Sequence, residues 1–99
     1  MATGHAGNVW ETTDPDGRRV RLRPRAWLHI LDQHAELHDS RDAILRAVTR
    51  PDERLPGREL GEEWYYGTGF GGTDRLKIVV HYEGEVGFIV TAFPRSVLP

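Results

Sequence analysis

Two apolar segments near the end of the chain, joined by a short turn, limit the folds that this sequence can adopt. Residues 76–82 (LKIVVHY) and 88–93 (FIVTAF) are rich in β-branched and aromatic residues, which favour strands. Gly84 and Gly87 flank the turn between them. The pattern predicts an antiparallel β-hairpin with an apolar face that the rest of the chain must cover.

The apolar face of this hairpin also decides its register, because a shift of one residue would exchange the two faces. One fully apolar face results when six side chains share it: Leu76, Ile78, Val80, Phe88, Val90 and Ala92. The same register places Lys77, His81 and Thr91 on the open face, with Val79 opposite Thr91. A cation, an imidazole and a hydroxyl then share a small area, which fits a functional site or an ordinary solvated sheet face.

The first part of the chain predicts a second hairpin. A strong turn signal at Asp14–Gly17 (DPDG) separates a short strand at residues 9–11 from residues 18–23. In the second of these strands, arginines alternate with Val20 and Leu22. The apolar pair should therefore face the core and the arginines should face away from it.

Two amphipathic helices are predicted after this hairpin. Pro24 suits the first turn of a helix, where the missing N–H is not needed. Five side chains then recur at helical spacing: Trp27, Ile30, Leu31, His34 and Leu37. Asp39 or Ser40 can cap the second helix, and the Arg50–Pro51 step ends it because a residue before proline avoids the helical conformation.

The remaining segments complete an α+β domain. Residues 54–63 predict a loop or an irregular edge strand, residues 64–70 a strand, and residues 71–74 a turn. The order ββ-αα-βββ predicts an N-terminal hairpin and two helices packed on a mainly antiparallel sheet. A chain of 99 residues suits one domain. We predict this domain at 9–99, after a flexible segment at 1–8.

Composition excludes several classes of function and predicts a cytoplasmic protein. The net charge is −2, so a polyanion would have to bind a local patch rather than the whole surface. The absence of cysteine excludes disulfides and thiolate metal sites. No apolar segment approaches the roughly 20 residues that span a bilayer, and the N-terminus lacks the basic and apolar regions of a signal peptide. We therefore expect no membrane partner.

Basic and aromatic residues supply a candidate surface for RNA. Arg19, Arg21 and Arg23 project from one face of their predicted strand. They can contact phosphates, or they can protect a solvated edge strand by their charge. The aromatic residues 64–66 (WYY) can stack on bases, or they can belong to the core.

A series of short motifs in a fixed order resembles a known nuclease family. The motifs are residues 27–31 (WLHIL), 33–37 (QHAEL), 50–52 (RPD), 64–66 (WYY), 76–80 (LKIVV) and 90–93 (VTAF). Together they resemble the phage-type members of the barnase–EndoU–colicin–RelE nuclease superfamily over nearly the whole chain. The helix motif of these proteins commonly reads Arg-His-Pro-Glu, whereas this chain has Gln33 and Ala35 at the first and third positions.

The resemblance implies a metal-independent endoribonuclease that needs no cofactor and cuts RNA by attack of the 2′-hydroxyl, forming a cyclic phosphate. Many relatives act as toxins, so a protein inhibitor of the antitoxin or immunity type is an implied partner beside RNA. The implied catalytic positions are His29, His34, Lys77, Thr91 and, more weakly, Tyr66. The candidate substrate-binding positions are Arg19, Arg21, Arg23 and His81.

Histidine, lysine and threonine suit this reaction. A histidine can take the proton from the 2′-hydroxyl or protonate the leaving oxygen. Lys77 can offset the charge that grows on the phosphate, and Thr91 can donate a hydrogen bond. The register places these two side chains away from the helices, whereas the apolar stripe directs His34 toward the sheet. Either His34 lies at an edge of the sheet, or His29 reaches the site instead.

Two other functions stay open at the level of sequence. A non-catalytic domain that binds RNA or protein on the same fold agrees with the departures at Gln33 and Ala35. A metal hydrolase is suggested by His34 and His38, which are four residues apart. However, Glu36 is misplaced for a His-Glu-x-x-His motif and no third ligand is evident, so we predict no metal site.

Overall fold

The computed structural model describes residues 9–70 and 74–95, which form an α+β fold. In chain order the elements are β1 (Trp10–Thr13), β2 (Arg19–Leu22), α1 (Pro24–Gln33), a 3-10 turn (Ala35–Leu37), α2 (Arg41–Thr49), β3 (Glu53–Pro56), β4 (Glu62–Phe70), β5 (Asp74–Glu83) and β6 (Val86–Arg95). The predicted flexible segment at 1–8 and most of the predicted turn at 71–74 lie outside the described residues.

The described strands form one mixed sheet in the order β1-β2-β6-β5-β4-β3. β2 and β6 run parallel, and every other neighbouring pair is antiparallel. The segment 54–63, predicted as a loop or an irregular edge strand, contains the edge strand β3 and a loop at 57–61, and its last two residues begin β4. Its Arg54 lies opposite Tyr65 and donates two hydrogen bonds to Glu63 on β4, which fixes the short strand in place.

The helices cover one face of the sheet and build the core there. α2 packs on β4 and β5, whereas α1 lies along β6. A Cβ atom at Gly67 on β4 would lie 2.5 Å from the Cβ of Ala47 on α2, so glycine allows the close approach of helix and sheet. The largest fully buried apolar side chains of this core are Val20, Leu22, Ile30, Leu37, Ile44, Val48, Leu76, Ile78, Val80 and Ile89.

The first helix is shorter than its apolar spacing predicted. α1 ends at Gln33, and His34 leaves the helical conformation with φ −142° and ψ 72° while its N–H still bonds to the carbonyl of Ile30. The 3-10 turn that follows directs Leu37 into the core, where it is fully buried. His34 is therefore a helix-terminal residue rather than the middle of an apolar stripe.

A β-bulge in the last hairpin changes half of the predicted register. Val79 lies opposite Thr91 as predicted, but Val80 then lies opposite Ile89, so Val90 is the extra residue. Ile89 is buried and Val90 is 49% exposed. The prediction that Val90 faces the core is therefore wrong.

The bulge also moves Phe88 to the face away from the helices, opposite His81. The reason lies in Tyr82, whose ring occupies the space over Gly87. A Cβ atom at that glycine would lie only 2.7 Å from a ring carbon. Gly87, and not Phe88, therefore lies opposite Tyr82 on the helix side of the sheet.

Among the described residues, no helix combines the length and the apolar character that a membrane crossing requires.

Candidate active site on the open face of the sheet

Lys77 is the only lysine of the chain and lies in the middle of β5, on the sheet face opposite the helices, called the open face below. Its neighbours in register are Tyr66 on β4 and Phe93 on β6. The Nζ atom lies 3.5 Å from the ring centroid of Trp64 and 5.8 Å from those of Tyr66 and Phe93. These four residues form the Lys77 cluster. Lys77 is 7% exposed, so the strand holds an amine among aromatic rings.

Positive charge collects around this amine. Within the described residues, Lys77 has no hydrogen bond or ion pair to a carboxylate. Burial lowers the pKa of Lys77 below its ordinary 10.5, and the charges of Arg95 and Arg58 lower it further, against an opposing effect of Glu62. Two arginine charges thus act on Lys77 against one carboxylate, Glu62, and this excess of positive charge favours an anionic ligand.

The ring of Trp64 is held in place over the amine. Its Nε1–H donates a hydrogen bond of 2.7 Å to Oε2 of Glu62. A cation over the face of a tryptophan ring is the most favourable cation–π pair. Because the ring is only partly buried, it also offers a flat apolar surface to a ligand.

Tyr66 contributes a buried hydroxyl to the cluster. Its side chain is fully buried, and the hydroxyl has no hydrogen-bond partner among the described residues. Burial raises the pKa of Tyr66, with Arg95 acting against this and Glu53 adding to it. A buried hydroxyl without a partner costs about 1–3 kcal/mol.

His34 reaches the same region from the edge of the sheet. Its ring centroid lies 5.8 Å from that of Phe93, and the side chain is one-third exposed. Phe93 lies directly opposite Lys77, so the imidazole and the amine both have this ring as a neighbour. The Nδ1 atom lies 3.7 Å from a carboxylate oxygen of Glu36. Of the two arrangements left open by the sequence, the structure has His34 at a sheet edge.

Thr91 lies close to the cluster and His81 does not. Thr91 is one diagonal step from Lys77 across the β5–β6 pair, a separation of about 7–8 Å in such pairs. His81 is four residues beyond Lys77 on β5, roughly 13 Å along the strand. It lies between Glu62 and Phe88 at the other end of the open face.

The other predicted site residues lie in two different places, His29 on α1 and the three arginines on or next to β2. His29 is exposed on α1 and borders a groove beside Val90, away from the Lys77 cluster. Arg23 places its guanidinium 4.3 Å from the ring centroid of Phe88, and Arg21 donates a hydrogen bond of 2.7 Å to Glu11. Arg19 is exposed on the same strand. The three arginines project from the open face, opposite the buried Val20 and Leu22.

Three members of the site region were missed by the sequence. Phe93 could have been found, because the predicted pairing of Val79 with Thr91 also sets Phe93 opposite Lys77. Arg58 lies in a segment without periodicity, so no local pattern marks it. Arg95 lies at the end of β6, beyond the segment predicted as strand.

A second polar cluster lies on the helix side of the sheet and is fully bonded. Asp14 accepts hydrogen bonds of 2.8 Å from Nε of Arg18 and 2.7 Å from the hydroxyl of Tyr82. The hydroxyls of Tyr82 and Tyr65 are 2.7 Å apart, and Tyr65 donates to Glu63 at 2.9 Å. Every side chain in this chain of contacts has a partner, which suits a structural role and leaves the Lys77 cluster as the candidate site.

Within residues 9–70 and 74–95, no group of three histidine or carboxylate side chains is arranged to hold a metal ion. Comparisons with protein-family models, with curated proteins and with solved structures find no match.

Proposed function

We propose that this domain is an endoribonuclease of the barnase–EndoU–colicin–RelE type, which cuts RNA at the Lys77 cluster by attack of the 2′-hydroxyl. The observation that carries the proposal is the buried Lys77 amine, which has aromatic neighbours but no carboxylate partner among the described residues. A phosphate supplies the missing negative charge, and a base supplies a flat surface for Trp64. A nucleotide combines both groups in one ligand.

The reaction needs one proton removed and one delivered. The 2′-oxygen forms a bond to phosphorus, the bond from phosphorus to the 5′-oxygen breaks, and the products are a 2′,3′-cyclic phosphate and a 5′-hydroxyl. His34 is the candidate for removing the 2′-hydroxyl proton because its imidazole is accessible at the edge of the cluster, and water protonates the departing 5′-oxygen. Lys77 stabilises the charge on the phosphate, and Thr91 donates a hydrogen bond to one of its oxygens.

The test is cleavage of end-labelled RNA by purified protein in excess EDTA. The parent is compared with Lys77→Met, His34→Ala and Thr91→Ala, and with Arg46→Ala on the exposed face of α2 as the matched control. We expect a cyclic-phosphate product from the parent and the control. Removing a positioned acid or base costs about 10²–10⁴-fold, and Lys77→Met should fall in the same range.

Full cleavage by Lys77→Met and His34→Ala, with the fold confirmed by circular dichroism, would show that the cluster is not the catalytic site. No cleavage of several RNAs by a folded parent would reject the enzyme.

A non-catalytic domain that binds RNA is the second candidate, and one observation favours it. His34 and Lys77 each have the Phe93 ring as a neighbour at 5.8 Å, and no hydrogen bond joins the two side chains among the described residues. Such a domain should bind single-stranded RNA through Lys77 and Trp64 without altering it. Binding that Lys77→Met weakens, together with unchanged RNA after long incubation, would support this function over catalysis.

A further inference from the structure

A groove lies between the start of α1 and the exposed side of β6, beside the Lys77 cluster but separate from it. Its volume is about 650 Å³. The lining residues are Arg23, Arg25, Ala26, His29, Ile89 and Val90. None of them belongs to the Lys77 cluster, so the groove is a second feature of this side of the molecule.

The groove exists because two strands separate. β2 pairs with β6 only from Val86 to Phe88, although β6 continues to Arg95. Beyond Phe88, the edge of β6 that pairs with β2 has no strand partner among the described residues, and α1 packs on β6. The bulge at this point turns Val90 outward, which gives the groove an apolar surface.

Two arginines give the rim of the groove positive charge. Arg23 and Arg25 have no carboxylate partner in the described part of the chain, and His29 lines the groove with them. The guanidinium of Arg23 rests on Phe88, which belongs to the open face. The groove therefore offers positive charge beside an apolar surface at Val90, and this combination suits a ligand with an anionic group and a flat apolar body.

We propose that this groove binds the phosphate of a neighbouring nucleotide while the Lys77 cluster holds the phosphate that is cut. The inference rests on the proposed function, because it gives that site a substrate of more than one phosphate. Val90 and Phe93 are three residues apart on β6, roughly 10 Å along the strand. Arg25 and Arg23 hold the flanking phosphate, and Val90 supports the adjacent base.

The first measurement is the affinity for a fluorescent 2′-O-methyl RNA oligonucleotide, which lacks the nucleophile and cannot be cut. Arg25→Ala is compared with Arg46→Ala, which removes the same charge from the exposed face of α2. We expect Arg25→Ala to weaken binding about three- to tenfold, because a single exposed arginine–phosphate contact is lost. The slope of log Kd against log salt should fall by about 0.7 for that contact, whereas Arg46→Ala should match the parent.

The second measurement locates the two phosphates. Each linkage of the oligonucleotide is replaced in turn by a neutral methylphosphonate. A linkage lies in the groove if its replacement weakens binding by the parent but not by Arg25→Ala. A linkage lies at the cluster if its replacement weakens binding by the parent but not by Lys77→Met. The proposal requires two different linkages close together in the oligonucleotide.

The outcomes separate the two proposals. Equal affinities of Arg25→Ala and Arg46→Ala, with cleavage of RNA intact, would overturn the groove alone. The groove proposal would also be overturned if replacement of one and the same linkage had no effect on binding by either Arg25→Ala or Lys77→Met, because both sites would then contact the same phosphate. Two distinct linkages in a parent that never cuts RNA would support the groove and reject catalysis.

Discussion

At the scale of single residues, Lys77 shows a conflict between stability and ligand binding. Lys77 is 7% exposed, so its amine has lost most of its hydration. The cation–π contacts offset only part of the desolvation free energy. Methionine would fill a similar volume without the charge. That the chain places its single lysine here suggests that the position serves a ligand rather than the fold.

We expect Lys77→Met to stabilise the free protein on the order of 1 kcal/mol near neutral pH. Desolvation of the charged amine opposes folding, and the cation–π contacts offset about 0.5–1 kcal/mol of its cost. Because the pKa of Lys77 is lowered in the folded state, the folded protein holds fewer protons than the unfolded one between that pKa and 10.5. The charged amine therefore lowers the free energy of unfolding of the parent by its largest amount below the folded pKa, and this effect decreases to zero as the pH rises to 10.5.

Urea unfolding of the parent and Lys77→Met at pH 7 and near pH 10 measures this effect. The difference in unfolding free energy should shrink at the higher pH, and any titration of tyrosines cancels because both proteins carry them. A variant less stable than the parent at pH 7 would mean that the amine contributes to the fold.

The alternation of strand residues was enough to predict which functional side chains share a face, since Lys77 and Thr91 do lie together. It could not predict the surroundings of His34. That position depends on where α1 ends, and the sequence has no glycine or proline there to mark the end. The imidazole is at the sheet edge because β2 stops pairing with β6 and leaves room for the helix.

At the scale of elements, the turn between β1 and β2 is held by one carboxylate. The side chain of Asp14 has no exposed surface and accepts bonds from the N–H groups of Asp16 and Arg18 within the turn. It also accepts the hydroxyl of Tyr82 from β5. Burial alone would raise the pKa of Asp14, but the bonds from Tyr82 and Arg18 outweigh it and the pKa is lowered.

We expect Asp14→Asn to destabilise the protein by about 2–4 kcal/mol at pH 7, since it removes the charge that Arg18 and Tyr82 are arranged around. Asp16→Asn, at a carboxylate 61% exposed, is the control and should change stability by no more than about 1 kcal/mol. Because the folded pKa of Asp14 lies below 3.8, its contribution is present above that pH and is lost as the pH falls further.

Chemical denaturation of these variants from pH 7 to pH 3 checks both statements. The gap between parent and Asp14→Asn should narrow at the acid end, while Asp16→Asn should follow the parent throughout. A gap that stays constant down to pH 3 would show that the charge of Asp14 is not what stabilises the turn.

The packing of α2 on β4 gives a prediction about shape alone. Gly67→Ala should cost about 1–3 kcal/mol, because the new methyl group would meet Ala47 at 2.5 Å and must displace the helix. Adding Ala47→Gly removes the 2.5 Å contact and leaves one of 3.1 Å to the Cα of residue 47, at the cost of about 1 kcal/mol for glycine in a helix. In thermal or urea unfolding, the double variant should therefore lose less free energy of unfolding than the sum of the losses of the two single variants. If the changes in unfolding free energy are additive, the side chains at positions 67 and 47 are not in steric contact.

Most elements could be predicted from local patterns, and the exceptions depend on contacts between distant residues. The hairpins and helices follow from turn signals, apolar spacing and the two prolines at 24 and 51. The bulge at Val90 depends on Tyr82 lying over Gly87, which no local pattern in β6 reveals. β3 depends on Arg54 reaching Glu63 on the next strand, so the segment appears irregular in the sequence.

At the scale of the whole molecule, the two faces of the sheet have different tasks. The helix side holds the apolar core and a bonded polar cluster, so stability is concentrated there. The open face carries arginines on β2 and the Lys77 cluster on β5, β4 and β6. The net charge of −2 describes the whole chain and does not report these local groups of cations. A nucleic acid would therefore cross the open face from the cluster toward β2.

This path can be tested by two substitutions with opposite expected effects. Arg19 is exposed and has no ion pair among the described residues, whereas the charge of Arg21 is bound to Glu11 at 2.7 Å. Arg19→Ala should weaken the binding of a 2′-O-methyl RNA oligonucleotide about threefold, and Glu11→Gln should strengthen it by a similar factor by releasing Arg21. Asp42→Asn on α2 removes the same negative charge on the helix side and is the control.

Affinities at several salt concentrations decide the matter, since a phosphate contact changes the salt slope as well as the Kd. The slope should decrease in Arg19→Ala and increase in Glu11→Gln, each by up to about 0.7. If Asp42→Asn strengthens binding as much as Glu11→Gln, the effect is one of net charge and the path across β2 is wrong. If only Glu11→Gln does so, the RNA passes over the arginines of β2 on its way to Lys77.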